Sequence, residues 1–308
     1  MEKLLSVLQT VLPVFLALGL GMLCRSRNLL TRDGVDALKK VVVNITLPAV
    51  LLKAFATTEF SPTTLVLPVV MFVLCCLALG FGTAIFRISG RKGRLAPFIS
   101  SGFEAGMLGY ALFAVAFPEE SSSQFAILDL GQTLFVFTVY KLLLSGKGSG
   151  TVVLRDMIES PVLWAVFAGV LLSATGLYSL MADAGMGGVF DGVTDFIAAP
   201  TGMIILLTIG YDLVPRQIPW KKIAGLIALR LGVIAIILSL LLALNQWVLK
   251  GILFPGAAVL MCLLPPPYVI PVFADEPAER VEISSTLSAL TLISLILFTS
   301  LCIFTGIR

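Results

Sequence analysis

Histidine is absent from this chain of 308 residues, and Asp, Glu, Lys and Arg together make up only 13% of it. An ordinary soluble domain carries about 25% charged residues. Without histidine there is no His-Glu-x-x-His run, and a structural zinc site loses one of its two usual ligand types. The five cysteines, Cys24, Cys75, Cys76, Cys262 and Cys302, contain no Cys-x-x-Cys pair and sit in or at the ends of apolar blocks. They read as small packing residues, neither ligands nor bridges. Gly146-Lys147-Gly148-Ser149 lacks the spacing of a P-loop. Tyr211-Asp212 resembles the first half of an intramembrane aspartyl protease site, but no Gly-x-Gly-Asp completes it. These absences argue against an enzyme, and no cofactor or metal is expected.

What remains is apolar. The chain is 58% hydrophobic, with a mean hydropathy of +1.04, and its apolar residues come in blocks of about 20, enough to cross a hydrocarbon core about 30 Å thick as helices. The expectation is an all-α polytopic membrane protein of ten spans, near residues 4–24, 35–55, 63–86, 95–116, 122–144, 160–177, 192–213, 220–247, 252–273 and 279–305. The first block is long for a signal sequence and runs into Arg25-Ser26-Arg27 without a small-x-small site, so it reads as the first span.

Basic residues set the orientation. Arg25, Arg27 and Arg32 follow span 1, and Arg87, Arg91, Lys92 and Arg94 follow span 3. Lys147 and Arg155 follow span 5, and Arg216, Lys221 and Lys222 follow span 7. The alternate stretches 57–63, 118–124 and 178–191 have none, and only the loop after span 9 is mixed, with Arg280 among Asp275, Glu276 and Glu279. The positive-inside rule puts the basic loops in the cytoplasm and both termini outside. The net charge of +3 is thus accounted for by topology and gives no reason to expect a nucleic-acid partner.

Two spans are interrupted in corresponding places. Span 4 carries Gly102, Gly106 and Gly109 with one carboxylate, Glu104, and span 9 carries Pro265-Pro266-Pro267-Tyr268. The halves also match elsewhere: Pro13 with Gly21 against Pro161 with Gly169, and Leu47-Pro48 against Ala199-Pro200. Five spans is an odd number, so the second copy enters the membrane upside down. The expectation is one transmembrane domain over 1–308, with inverted repeats at 1–145 and 158–308, a linker at Ser145–Gly150, and broken spans 4 and 9 crossing at mid-membrane. Broken backbone survives in hydrocarbon only where protein or a wet cavity satisfies it. The half-helix N-termini expected at the breaks suit an anionic group, although Gly102 and Gly106 also make a GxxxG packing pair.

Asn44-Ile45-Thr46-Leu47-Pro48-Ala49-Val50-Leu51-Leu52 resembles the Asn-x-x-Leu-Pro-x-x-Leu segment of the auxin efflux carrier family, whose bacterial members include malate and malonate permeases. The resemblance continues through Gly106-Met107-Leu108-Gly109-Tyr110, Asp129-Leu130-Gly131-Gln132, Ala199-Pro200 with Gly210-Tyr211-Asp212-Leu213, and Leu264-Pro265-Pro266. It implies a fold like that of the plant auxin exporters and bile-acid sodium symporters. In such a fold spans 1, 2, 6 and 7 form a dimerising scaffold, and spans 3–5 and 8–10 move as an elevator. It also implies a multi-pass protein of the cell (inner) membrane. The chain departs from the family pattern at Glu104, where a small polar residue is usual, and at Tyr110, where proline is usual.

The expected function is secondary transport of a small organic anion, coupled to protons or alternatively to sodium. An uncoupled channel or sensor is the competing class. Glu104 is the leading coupling residue, because an ionisable group within a span is a functional candidate by default; the alternative is a helix-bridging carboxyl. Asp129 and Gln132 share one helical face and could ligate a cation, relay a proton or tie helices together. Arg230 is either a counter-charge, for the substrate or for Glu104, or a snorkelling side chain. Substrate contacts are expected from Asn44, Gly106, Gly109, Tyr110, Pro265, Pro266, Pro267 and Tyr268. Asn44 could instead satisfy backbone freed by Pro48, and the Ser284, Ser288, Thr291 and Ser294 stripe could be helix glue or an ion site. Lys53 and Lys250 read as interfacial.

Overall fold

A computed structural model describes residues 2–58, 65–90, 93–145, 155, 158–213, 218–273 and 276–305. Nearly all of the expected linker lies outside these residues, as do Arg91, Lys92, Lys147, Arg216 and Asp275 of the loops that set the orientation. Among the described residues all regular structure is helical.

The helices are α1 (Glu2–Ser26), α2 (Arg32–Val41), α3 (Leu47–Ala56), α4 (Val66–Ile88), α5 (Tyr110–Ala116), α6 (Ser123–Phe135) and α7 (Lys141–Ser145). After the linker come α8 (Pro161–Ala174), α9 (Leu177–Asp183), α10 (Gly187–Ala198), α11 (Thr201–Asp212), α12 (Trp220–Trp247), α13 (Pro255–Leu263) and α14 (Pro277–Thr305). Among the described residues, five stretches are long and apolar enough to cross a membrane unaided, at Val66–Ile88, Ser123–Leu144, Gly187–Asp212, Trp220–Trp247 and Pro277–Ile303. A sixth is added if α8 and α9, bent by 67°, count as one span. Three of the other expected spans fall short for identifiable reasons: the second carries Lys39, Lys40 and Lys53, and the fourth and ninth are interrupted.

Local chemistry explains the second span. Thr31 caps α2, its Oγ1 accepting from the Gly34 N–H at 3.1 Å. Pro48 has no N–H to give to the carbonyl four residues back, and the chain widens into a π-turn at Val42–Thr46 before continuing as α3.

Close packing follows small residues. A Cβ on Gly21 of α1 would lie 2.0 Å from Leu207 O of α11, and one on Gly210 would lie 2.1 Å from Leu18 O. A Cβ on Gly169 of α8 would lie 2.8 Å from Leu52 O of α3, and Gly131 brings α6 onto Pro68 of α4. Without a hydrophobic drive between helices in lipid, such backbone approach supplies the van der Waals contact. The heaviest packing falls in two groups. In one, α1 lies on α11, and α3 lies on α8 and α10. In the other, α4 lies on α6, and α12 lies against α4, α13 and α14.

Candidate substrate site

The fourth apolar segment is never one helix. A 3-10 turn at Ala96–Ser100 gives way to extended backbone at Ser101, then to Gly102 at φ +70°, before a π-turn at Ala105–Gly109 leads into α5. That φ is comfortable only for glycine, and a Cβ there would also come within 2.9 Å of Pro267 Cγ. The glycine break and the proline break therefore lie against each other. Across the contact, the Glu104 N–H donates to Pro265 O at 2.9 Å, and the Tyr268 N–H donates to Glu104 Oε2 at 2.7 Å.

One expectation needs correcting here. Free half-helix N-termini were expected at both breaks, but α13 arrives at its break with its C-terminal end. The three prolines have no N–H, so this break presents carbonyls, and the Tyr268 N–H that follows them is taken by Glu104. The carbonyls are served by Arg230. Its guanidinium donates to Ile99 O at 3.3 Å and to Leu264 O at 2.9 Å, and lies 4.9 Å over the Phe103 ring. Arg230 is only 2% exposed and does not line the main cavity, so the snorkelling reading is overturned and the geometry is not that of a substrate counter-charge. A planar fork of donors suits two separate carbonyls where a lysine would not, and a cation is favoured at helix C-termini.

A cavity of about 850 Å³ opens beside the crossing. Glu104, Gly106, Asp129, Gln132, Pro267 and Tyr268 line it, together with Ser284, Ser288 and Thr291 from α14. Asp129 is buried and accepts three hydrogen bonds, from Tyr110 Oη at 3.0 Å, Gln132 Nε2 at 3.2 Å and Thr133 Oγ1 at 3.1 Å. Gln132 Nε2 also donates to Phe103 O at 3.0 Å, while its buried Oε1 has no hydrogen-bond partner among the described residues. Tyr268 Oη lies 3.0 Å from Thr291 Oγ1, tying the proline break to α14.

Five expected substrate contacts lie elsewhere. Asn44 is exposed and donates to Lys40 O at 2.8 Å within its own helix, so it repairs backbone in the π-turn and does not line the cavity. Gly109 packs where a Cβ would press on Phe125 and Leu264. Pro265 offers its carbonyl to Glu104, and neither Pro265 nor Pro266 lines the cavity. Tyr110 lines a different cavity, of about 560 Å³.

At the rim of the main cavity stands a group the sequence reading did not assemble. Asp212 of α11 accepts from Arg32 Nη1, and from Lys39 Nζ at 2.5 Å, while Asp36 lies 3.8 Å from Arg32 and 4.0 Å from Lys39. All but Asp36 line the cavity. The local signal was the seven-residue spacing of Arg32 and Lys39, two turns on one helix face; their partner is too distant in sequence to be inferred.

Residues 6–150 match a family model described as Membrane transport protein. Over 305 residues the chain is 27% identical to an uncharacterized transporter of Methanothermobacter thermautotrophicus, with 94% of this chain and 95% of that protein covered. Together with the helical architecture, these matches support a membrane transporter: the chain is similar to membrane transport proteins, and to the transporter over nearly its whole length.

Proposed function

We propose that this protein is a secondary active carrier for a small organic anion, a carboxylate, driven by protons through Glu104. The observation that carries the reading is the Glu104 carboxylate. It faces the cavity and accepts the Tyr268 N–H at 2.7 Å, so one acid holds the two breaks together. A charged acceptor makes this bond about twice as strong as a neutral one would. Protonating Glu104 therefore loosens the tie between the breaks, and that is the coupling step. The substrate carboxylate meets Arg32 and Lys39 at the rim, exchanging with Asp212, and the α14 hydroxyls receive the rest of the molecule.

The inverted repeat of ten spans is supported by matched packing. Gly21 of the first half seats α1 on α11, and its counterpart Gly169 seats α8 on α3. The two packing groups suit an elevator, in which α4–α7 and α12–α14 move against the remaining helices. A homodimer through that static group, and non-cytoplasmic termini in the cell (inner) membrane, complete the proposal. Sodium coupling is the second reading, favoured by the unpartnered Gln132 Oε1 beside Asp129, an oxygen free to take a cation.

Reconstituted protein under imposed proton or sodium gradients, wild type against Glu104→Gln, tests the reading. Saturable, gradient-driven accumulation is expected in the wild type and its loss in the variant. Full accumulation by Glu104→Gln would remove the proton role, and non-saturating, non-concentrating flux would favour a channel.

A further inference from the structure

Tyr110 and Asp129 touch each other but line different cavities. Asp129 lines the cavity of about 850 Å³ with Glu104, whereas Tyr110 lines the cavity of about 560 Å³ with Lys53, Glu120 and Asp195. The two cavities sit toward opposite ends of the α2–α3 span. Lys39 and Val43 face the first, and Lys53 and Thr57 face the second. Lys39 and Lys53 are fourteen residues apart, about 21 Å of helical rise.

The wall between the cavities is otherwise tightly filled. Ala105 and Leu108 are fully buried, and a Cβ on Gly106 would meet Leu47 Cδ2 at 3.3 Å. The hydrogen bond from Tyr110 Oη to Asp129 Oδ2, at 3.0 Å, joins a residue lining one cavity to a residue lining the other. The Tyr110 ring is held edge-on by Phe125, with centroids 5.0 Å apart, so the phenol stays in the wall while its O–H remains free to turn. The other ionisable groups facing the pair's two sides are Glu104, Tyr268, Asp212, Arg32 and Lys39 in the first cavity and Lys53, Glu120 and Asp195 in the second.

We propose that Tyr110 and Asp129 form the proton path between the two cavities, with the phenol passing protons from the Lys53 side to the carboxylate on the Glu104 side. A hydronium in the smaller cavity gives a proton to the phenolic oxygen as the phenolic hydrogen moves to Asp129 Oδ2. Two O–H bonds break, one on the hydronium and one on the phenol, and two form, on the phenolic oxygen and on Asp129 Oδ2; the phenol is regenerated, Asp129 becomes neutral, and nothing is oxidised or reduced. Asp129 then releases its proton to water in the larger cavity, which is roomy enough for water, and the phenolic O–H turns back. The proposal rests on the proton-coupled reading above and adds the route by which the proton reaches the Glu104 cavity.

Wild type, Tyr110→Phe and Asp129→Asn in liposomes, with labelled malate as probe, test it. Tyr110→Phe should keep malate counterflow, which moves no net proton, within about twofold of wild type. It should lose about tenfold in proton-gradient-driven uptake, the scale of one hydrogen bond to a charged group. Undiminished driven uptake overturns the relay, and so does an equal fall in both modes, which marks mere packing. If wild type carries no malate, or needs no proton gradient, the functional reading fails separately. The relay is then judged from pH-difference infrared spectra. A carboxyl band absent from Asp129→Asn must shift in Tyr110→Phe, and a missing or unshifted band overturns the relay.

Discussion

Arg230→Met isolates what holds the two interruptions in place. The guanidinium is buried and supplies donors to Ile99 O and Leu264 O, carbonyls that no helix continues to satisfy. Hydrogen bonds from a charged donor are worth about 1.5–3 kcal/mol each, and stripping the donor leaves both acceptors buried without a partner. Stacking over Phe103 adds about 0.5–2 kcal/mol. Against this, methionine relieves the burial of a charge, which costs several kcal/mol. The net loss should be about 2–4 kcal/mol. At about 2–4 °C per kcal/mol for chains approaching this size, the melting temperature in detergent should fall by about 4–16 °C. Phe103→Leu, which keeps both carbonyl bonds, should cost less than half as much. Arg230→Lys should fall between, since one ammonium lacks the fork that spans two carbonyls. Melting of Arg230→Met within about 1 °C of wild type would refute the reasoning.

Further outcomes follow from the same contacts. Gly210→Ala should lower the melting temperature by several degrees, because its Cβ would sit 2.1 Å from Leu18 O, whereas Gly19→Ala, with nothing within 4 Å, should be silent. Gly102→Ala combines a φ of +70° with a clash on Pro267 and should abolish uptake in proteoliposomes even where expression survives. Replacing Arg32 and Lys39 by Gln should raise the KM for a carboxylate substrate about tenfold with little change in maximal rate, if the rim serves binding alone. Asn44→Ala, at an exposed side chain bonded within its own helix, should leave transport within about twofold of wild type.

Much of this molecule could be read from residue types alone, because the reasons are local. Long apolar runs with few charges require helices in lipid, whatever those helices pack against. Three consecutive prolines cannot donate, and Gly102 with Gly106 and Gly109 can bend, so both breaks were visible before any helix was placed. Glu104 drew attention for the same reason, as the lone acid in either break.

What required the tertiary structure was every partnership across helices. Arg230 changed from a possible counter-charge to the donor for two carbonyls that lie 131 and 34 residues away in sequence. Asn44 turned out to serve its own helix, and Tyr110 to face a second cavity. Asp212 met Lys39 across 173 residues. Hydropathy and backbone chemistry act residue by residue, so composition and order suffice to determine the helical class and the two breaks. Which buried donor meets which acceptor depends on how the helices seat against one another, and that arrangement exists only once the chain has folded.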